Sequence, residues 1–140
     1  MGSCYNTTEL SVPIEKVWET ICDFHDLSWA SGVITSLEIV GDKKGNETGA
    51  MRVLNDAFHE TLKSLDPENH TFSYQITDGP GPLATDAVDH YIGVVKLSES
   101  GGRTLVEWSS SFESSSDDEV AEFCNPIYQA LLSALKSKLS

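Results

Sequence analysis

Two stretches of the chain repeat apolar residues at the spacing of an α-helix. The first is "SVPIEKVWETICDF", whose apolar positions are Ile14, Val17, Trp18 and Ile21. The second follows Ser116, a good N-cap residue with Glu119 three positions later. Its apolar stripe consists of Val120, Phe123, Ile127, Leu131, Leu135 and Leu139. The pattern therefore predicts a short helix early in the chain and a long C-terminal helix, kinked near Pro126.

Strand-like segments, in which apolar and polar residues alternate, occupy most of the rest. In order they are "CYNTTELSV", "ITSLEIVGD", "AMRVLN", "FHETLKSLD", "TFSYQIT", "AVDHYIGVVKL" and "RTLVEWSSSF". "HDLSWASGV", after the first helix, predicts a second short helix or turn that ends at Gly32. "DGPGPLATD", from Asp78 to Asp86, predicts a loop that is either an exposed connection or a mobile lid.

These elements predict an α+β fold. Turns of hairpin length imply an antiparallel sheet. Such a sheet with one apolar face needs a cover, and the long C-terminal helix offers the matching stripe. The sheet should therefore curl around that helix, with two short helices after the first strand. A chain of 140 residues suits a single domain, residues 1–140, with a core of its own.

The hairpin segment "GAMRVLNDAFHETL" places two charged residues on an apolar face. Arg52 and Glu60 share an alternation with Ala50, Leu54, Phe58 and Leu62. If the turn at 55–57 keeps this alternation, Arg52 and Glu60 lie directly opposite each other. They then form either a simple cross-strand ion pair or, in a pocket, an anchor for the polar end of a ligand. If the pocket is catalytic, Glu60 is the acid/base and Arg52 stabilises developing negative charge.

Other polar and aromatic side chains fall on apparently inward positions. His90 shares its alternation with Val88, Ile92 and Val94. This histidine is a candidate proton shuttle or a satisfied core histidine. The aromatic candidates for a cavity wall, each of which can equally pack a core, are Trp29, Phe58, Tyr74, Trp108 and Tyr128. Asn125 lies at the predicted helix kink, where it either contacts a ligand or repairs the helix.

Charge and cysteine content argue against several classes of function. The formal net charge of −13 repels phosphate backbones and anionic lipid surfaces, so we expect neither nucleic-acid binding nor stable membrane association. Cys4, Cys22 and Cys124 lack the spacing of metal sites or disulfide frameworks, and the histidines are scattered, so we expect no metal and no cofactor. With no span-length apolar run and no secretory-signal features, we expect a cytoplasmic protein.

Five motifs follow one another along the chain, "VWETICDFHDLSWASGV", "GAMRVL", "ETLKSLD", "FSYQI" and "LVEWSSSF". Their order and spacing resemble the polyketide cyclase/dehydrase branch of the SRPBCC (START-like) superfamily. The resemblance covers essentially the whole chain. Its most specific residues, in the helix motif and then in the hairpin, are Trp18, Asp23, Phe24, Trp29, Arg52, Glu60 and Asp66.

The resemblance implies a helix-grip fold, in which a seven-stranded antiparallel sheet wraps the C-terminal helix and two small helices close one end. Members usually hold a cavity for an apolar or amphipathic ligand between sheet and helix. The superfamily includes lipid-transfer domains, hormone receptors, aromatic cyclases and chaperone activators. The fold alone therefore does not define a function.

Within the superfamily, the hairpin is similar to that of plant lachrymatory factor synthase, a sulfenic-acid isomerase. This resemblance implies that Arg52 and Glu60 match the catalytic arginine and glutamate of the synthase. The synthase also uses a cavity tyrosine, whose place by spacing from Pro82 and Leu83 is taken here by Val88. His90 or Tyr91 can compensate only if the strand register shifts.

Three functions follow as expectations. The first is binding of a small hydrophobic or amphipathic molecule, lipids included, with Arg52 and Glu60 at its polar end. The second is a cofactor-free cyclase, dehydratase or isomerase, with Glu60 as acid/base, Arg52 as charge stabiliser and His90 as a further candidate. The third is a protein-interaction or chaperone-activator module, with a filled, dry interior and an exposed apolar patch. In each case we expect a monomer or a homodimer.

Overall fold

The computed structural model describes residues 2–139 of the chain. In this part, seven strands, two α-helices and two short 3₁₀ turns follow one another. They are β1 (Gly2–Leu10), α1 (Ile14–Ile21), a 3₁₀ turn (Ser28–Ala30), β2 (Leu37–Val40), β3 (Met51–Leu54), β4 (Phe58–Asp66), β5 (Thr71–Asp78), a 3₁₀ turn (Gly81–Leu83), β6 (Val88–Ser100), β7 (Arg103–Ser114) and α2 (Asp117–Leu139). The order is the one that the sequence predicts, with an additional 3₁₀ turn in the loop after β5.

The seven strands form one antiparallel sheet in the order β1-β7-β6-β5-β4-β3-β2. From β2 to β7 each strand pairs with the next one in sequence. β1 pairs with β7, so the two edges of the sheet come from the first two strands of the chain. α2 packs across β1 and β7 and contacts both 3₁₀ turns. This arrangement confirms the predicted α+β helix-grip fold.

One face of α2 carries the buried side chains that pack on the sheet. They are Val120, Cys124, Tyr128, Leu131, Leu132 and Leu135. The stripe predicted from the sequence also contains Phe123, Ile127 and Leu139, which are only half-buried. The centre of the buried face is therefore displaced from the predicted one and includes Cys124 and Tyr128. Pro126 lies inside the continuous helix on its exposed side, and the kink stays a prediction.

The short helix α1 and the loop after it pack against the sheet. The buried side chains of α1 are Ile14, Val17 and Ile21. Trp18 packs edge to face against His70, with the ring centres 5.6 Å apart. After α1 the chain turns back, and the N–H of Phe24 donates to the carbonyl of Gly45 at 3.0 Å. Phe24 is thereby fixed in the loop that approaches β3, where the candidate site begins.

None of the helices in residues 2–139 combines the length and the hydrophobicity of a membrane span. In the same part of the chain, no group of three or more histidine, cysteine and acidic side chains is placed to hold a metal ion. Cys4, Cys22 and Cys124 are free thiols, of which Cys4 and Cys124 are buried. The side chains best placed to meet a ligand lie around the hairpin of β3 and β4.

Candidate ligand-binding site

The hairpin of β3 and β4 places Arg52 directly opposite Glu60. A three-residue turn produces this register, and two of its residues, Asn55 and Asp56, have φ angles of 54° and 55°. Asparagine and aspartate adopt this left-handed conformation more readily than most other residues. Both charged side chains are buried on the inner face, with Arg52 4% and Glu60 6% exposed. The predicted pairing of the two residues is confirmed.

The two side chains form a buried ion pair. Arg52 reaches Glu60 Oε1 with two nitrogens, Nε at 2.8 Å and Nη2 at 2.6 Å. Its Nη1 donates to the carbonyl oxygen of Phe24 at 2.8 Å, and its guanidinium carbon lies 3.7 Å from the centre of the Phe24 ring. The ring of Tyr74 lies 5.8 Å from the same carbon. Since an unpaired charge is costly to bury, each member of the pair depends on the other.

A cavity of about 140 Å³ lies between this hairpin, the sheet and α2. It is lined by Leu27, Val33, Ile34, Arg52, Leu54, Asn55, Phe58, Glu60, Tyr74, Ile76, Leu83, Tyr91, Trp108, Cys124, Ile127, Tyr128 and Leu131. Most of these side chains are apolar and buried. Glu60 contacts Arg52 through Oε1, and within residues 2–139 its Oε2 accepts no hydrogen bond. This carboxylate oxygen is therefore an open acceptor in the cavity wall.

Three tyrosine hydroxyls and one indole N–H meet in another part of the wall. Trp108 Nε1 donates to Tyr74 Oη at 2.9 Å, and Tyr74 Oη donates to Tyr128 Oη at 3.4 Å. Tyr91 Oη is hydrogen-bonded to Tyr128 Oη. The indole can only donate, so it fixes the direction in which the chain of hydrogen bonds begins. Burial is the main cause that raises the pKa of Tyr74, Tyr91 and Tyr128, so the three phenols are neutral at physiological pH.

Six of the residues expected at a ligand line the cavity. They are Arg52, Phe58, Glu60, Tyr74, Trp108 and Tyr128. Trp108 stacks on Tyr128 with the ring centres 5.4 Å apart, which holds both rings against the cavity. Phe58 stacks on Phe123 at 6.4 Å and is half-buried. The roles of these residues in binding or catalysis stay predictions.

His90 does not face the interior, and the expectation that it does is wrong. Its side chain is 78% exposed, and its Nδ1 lies 3.3 Å from a carboxylate oxygen of Glu113. The pairing of β6 with β7 shifts between Asp89 and Ile92, and His90 adopts a φ of 53°. A bulge of this kind reverses the alternation of the residues that follow it. Tyr91 therefore points into the cavity in place of His90.

Trp29 and Asn125 do not line the main cavity, contrary to expectation. Trp29 is buried against a separate void of about 10 Å³ that Arg52 also lines. Its Nε1 has no hydrogen-bond partner among residues 2–139. Asn125 Oδ1 instead accepts a hydrogen bond of 2.8 Å from Asn6 Nδ2, which ties α2 to β1. The helical position after Cys124 turns this side chain away from the cavity.

Several residues that line the cavity were not predicted from the sequence. Tyr91 was missed because the bulge in β6 reverses the alternation of inward and outward side chains. Cys124 lies one helical turn before Tyr128, and that spacing is the signal that identifies it. Burial raises the pKa of the Cys124 thiol to about 11, so it stays protonated and is a poor nucleophile. Leu83 reaches the cavity from the 3₁₀ turn after β5, whose irregular backbone gives no periodic signal.

Asn55 joins two parts of the cavity rim. Its Oδ1 accepts hydrogen bonds from the backbone N–H of Thr35 at 2.7 Å and of Ser36 at 3.3 Å. Its Nδ2 donates to the carbonyl of Val33 at 3.2 Å. The segment before β2 is thereby fastened to the β3–β4 turn.

A curved antiparallel sheet that grips a long helix defines the SRPBCC class of proteins. The family model for polyketide cyclase / dehydrase and lipid transport matches residues 1–140. The chain therefore belongs to this family. No curated protein sequence matches it.

Solved structures support the same assignment. A protein from Nitrosospira multiformis is 35% identical, with a TM-score of 0.95 over 99% of this chain and 96% of that one. XoxI from Bacillus cereus is 24% identical, with a TM-score of 0.82 over 99% of this chain and 96% of that one. Ara h 8.0201 is 19% identical, with a TM-score of 0.79 over 98% of this chain and 96% of that one. The last two likenesses concern the fold alone.

Proposed function

We propose that the protein binds a small hydrophobic or amphipathic molecule in the cavity between the sheet and α2. The observation that carries this proposal is a largely apolar cavity with a buried ion pair in its wall. A ligand in this space of about 140 Å³ removes apolar wall surface from water, which favours binding. A ligand that fills the void restores the missing dispersion contacts. The family description, which names lipid transport beside cyclases, supports the same function.

In this proposal, the hairpin meets the polar end of the ligand. Arg52 is held in place by Phe24 and Glu60, and Glu60 offers its open Oε2. The apolar part of the ligand lies among the aromatic residues that line the cavity. One of them, Trp108, also orients Tyr74 by donating a hydrogen bond to its hydroxyl. The synthase uses a cavity tyrosine, which spacing alone aligns with Val88. In this proposal, Tyr91 takes the role of that tyrosine.

Binding is tested by a titration with a panel of small apolar and amphipathic molecules, read by NMR and by native mass spectrometry of freshly purified protein. The variant Ile127→Trp fills the cavity from α2, and Ala130→Trp adds the same ring to an exposed position of that helix. We expect Ile127→Trp to lose the bound molecules and Ala130→Trp to retain them. Equal binding by both variants would contradict the proposed site.

The second candidate function is cofactor-free catalysis by a cyclase, dehydratase or isomerase. The observation that favours it is an open carboxylate oxygen on Glu60 beside a rigidly held guanidinium. Glu60 would move a proton while Arg52 stabilises the developing negative charge. Mass spectrometry of ligand incubated in D₂O detects such proton transfer as isotope exchange. We expect Glu60→Gln to stop the exchange at saturating ligand, whereas no exchange in the wild type points to a carrier.

A protein-interaction role has less support. The interior contains a cavity, whereas this role requires a filled core. The large apolar side chains that are most exposed in the described part of the chain are Tyr5, Ile39 and Met51. Tyr5 lies on the opposite sheet edge from Ile39 and Met51, and its hydroxyl donates to Glu107 at 2.5 Å. The proposal also includes a single cytoplasmic domain, for which three free thiols are suited to a reducing compartment, as a monomer or homodimer.

A further inference from the structure

The cavity is small for a family whose description includes lipid transport. Its volume is about 140 Å³. A void of about 150 Å³ holds benzene, whereas drug-sized ligands occupy pockets of about 300–1,000 Å³. The volume therefore fits a ligand of roughly six to eight non-hydrogen atoms and is too small to enclose an acyl chain or a sterol.

The buried ion pair makes the polar part of the wall neutral overall. Arg52 and Glu60 approach to 2.6 Å, so their charges compensate each other at the scale of a ligand. An anionic ligand beside Arg52 also lies beside Glu60, and a cationic ligand beside Glu60 also lies beside Arg52. Either ligand loses its hydration without gaining a free counter-charge. The net charge of −13 further disfavours an anion. The wall therefore selects a neutral molecule.

Glu60 Oε2 is the charged acceptor that the cavity wall offers to a ligand. The phenols of Tyr74, Tyr91 and Tyr128 already bond to one another. Glu60 Oε2 accepts no hydrogen bond within residues 2–139, and a carboxylate oxygen only accepts. A ligand O–H at this point would form a charge-assisted hydrogen bond with the carboxylate, which is stronger than a hydrogen bond between neutral groups. A hydroxyl oxygen can also accept from a guanidinium N–H that Arg52 does not use for Glu60 or Phe24.

From these three observations we propose that the ligand is a neutral hydroxyl compound about the size of phenol, whose O–H donates to Glu60 Oε2. This inference rests on the proposed ligand-binding function of the cavity and names its ligand class. The apolar body of the molecule fills the space among the aliphatic and aromatic side chains. Lipids and carboxylates are excluded by volume and by charge respectively.

The test is an NMR titration of the wild-type protein with phenol, toluene, benzoate and decan-1-ol. Phenol and toluene have the same shape, but water solvates phenol far better. We expect phenol to bind at least as tightly as toluene, because the hydrogen bond to Glu60 compensates for its lost hydration. We expect no binding of benzoate or decan-1-ol at concentrations that saturate the site with phenol.

Two variants test the hydrogen bond itself. In the double variant Arg52→Met/Glu60→Leu, the preference for phenol over toluene should fall by about tenfold or more, since a hydrogen bond to a charged group is lost. In Glu60→Gln, the positive charge of Arg52 is no longer compensated, so benzoate should gain about tenfold or more in affinity. If either variant fails to fold, the four wild-type titrations still decide the question.

The outcomes separate this inference from the broader function. Benzoate that binds as well as phenol, or an unchanged phenol preference in a folded double variant, overturns the inference. Binding of decan-1-ol without phenol also overturns it, while the proposed ligand-binding function stands. Failure of all four molecules to bind contradicts both.

Discussion

Two arginine–carboxylate pairs join neighbouring strands of this sheet in opposite environments. Arg52 and Glu60 connect β3 and β4 with side chains that are 4% and 6% exposed. Arg103 and Glu9 connect β7 and β1 with side chains that are 58% and 50% exposed. The N–O distance is 2.6 Å in both pairs. The shortest N–O distance therefore does not distinguish the two pairs, whereas their exposure to solvent does.

The two environments imply different energetics. An exposed pair contributes about 0–1 kcal/mol, because water and salt screen it. A buried pair costs several kcal/mol of desolvation per ion, and replacing it by apolar residues of similar volume is often neutral or stabilising. Stability alone is therefore a weak reason for the sheet to carry Arg52 and Glu60. In the proposed function, the pair instead holds the polar end of the ligand.

The largest effect is expected from breaking the buried pair on one side. Arg52→Met leaves Glu60 as an uncompensated charge in the cavity wall, so the free energy of unfolding should fall by about 3–5 kcal/mol. Urea denaturation measures this loss. A fall below 1 kcal/mol would mean that water already solvates Glu60 and that the site is wet.

Alkaline pH should separate buried from exposed tyrosines. Burial raises the pKa of Tyr74 and Tyr128 above the ordinary value of 10.0, and the Glu60 charge raises that of Tyr74 further. As pH rises, these phenols lose their protons in the unfolded chain before they do so in the folded protein. Their contribution to the free energy of unfolding is therefore fully present below about pH 10 and is lost above it, by up to about 1.4 kcal/mol per pH unit for each phenol. Absorbance at 295 nm should show exposed Tyr5 ionising before unfolding and the buried phenols together with it. Ionisation of all four tyrosines in the folded state would contradict the buried cluster.

Gly93 has no side chain, and this leaves room for the ring of Tyr74 beside the buried pair. A Cβ at this position would lie 2.3 Å from Tyr74 Cζ. Gly93→Ala should therefore displace the ring and lower the free energy of unfolding by about 1–3 kcal/mol. Gly32→Ala is the control, since an added Cβ there meets no atom within 4 Å. Similar losses in the two variants would show that backbone flexibility, rather than crowding against Tyr74, is responsible.

The smallest effect is expected at the exposed pair. Arg103→Met removes the contact with Glu9 and a hydrogen bond of 3.1 Å to Ser11 Oγ. The free energy of unfolding should change by less than about 1 kcal/mol, and the change should shrink at high salt. Urea denaturation at two salt concentrations measures both. A loss as large as that of Arg52→Met would remove the contrast between the pairs.

The hairpin pair was predictable because a strand alternates its side chains with a fixed period. Once the turn is three residues long, that period places Arg52 and Glu60 opposite each other. The same rule predicts the element order and the sheet that α2 covers. These features depend on local pattern, which the amino-acid sequence carries directly.

The same rule fails at His90 because a bulge interrupts the period. One extra residue between Asp89 and Ile92 sends His90 to solvent and Tyr91 to the cavity. Bulge positions depend on how two strands fit together, which alternation in one strand does not reveal. Leu83 is a similar case, since it enters the cavity from a loop whose path depends on tertiary contacts.

The double variant Arg52→Met/Glu60→Leu shows whether the buried pair holds the ligand, when it is titrated with phenol and toluene after its stability is measured. We expect a free energy of unfolding that equals the wild-type value within about 1 kcal/mol or exceeds it, because no buried charge remains. We also expect the preference for phenol over toluene to fall by about tenfold or more. A double variant that is as unstable as Arg52→Met and keeps the full preference for phenol would contradict a role of the pair in ligand binding.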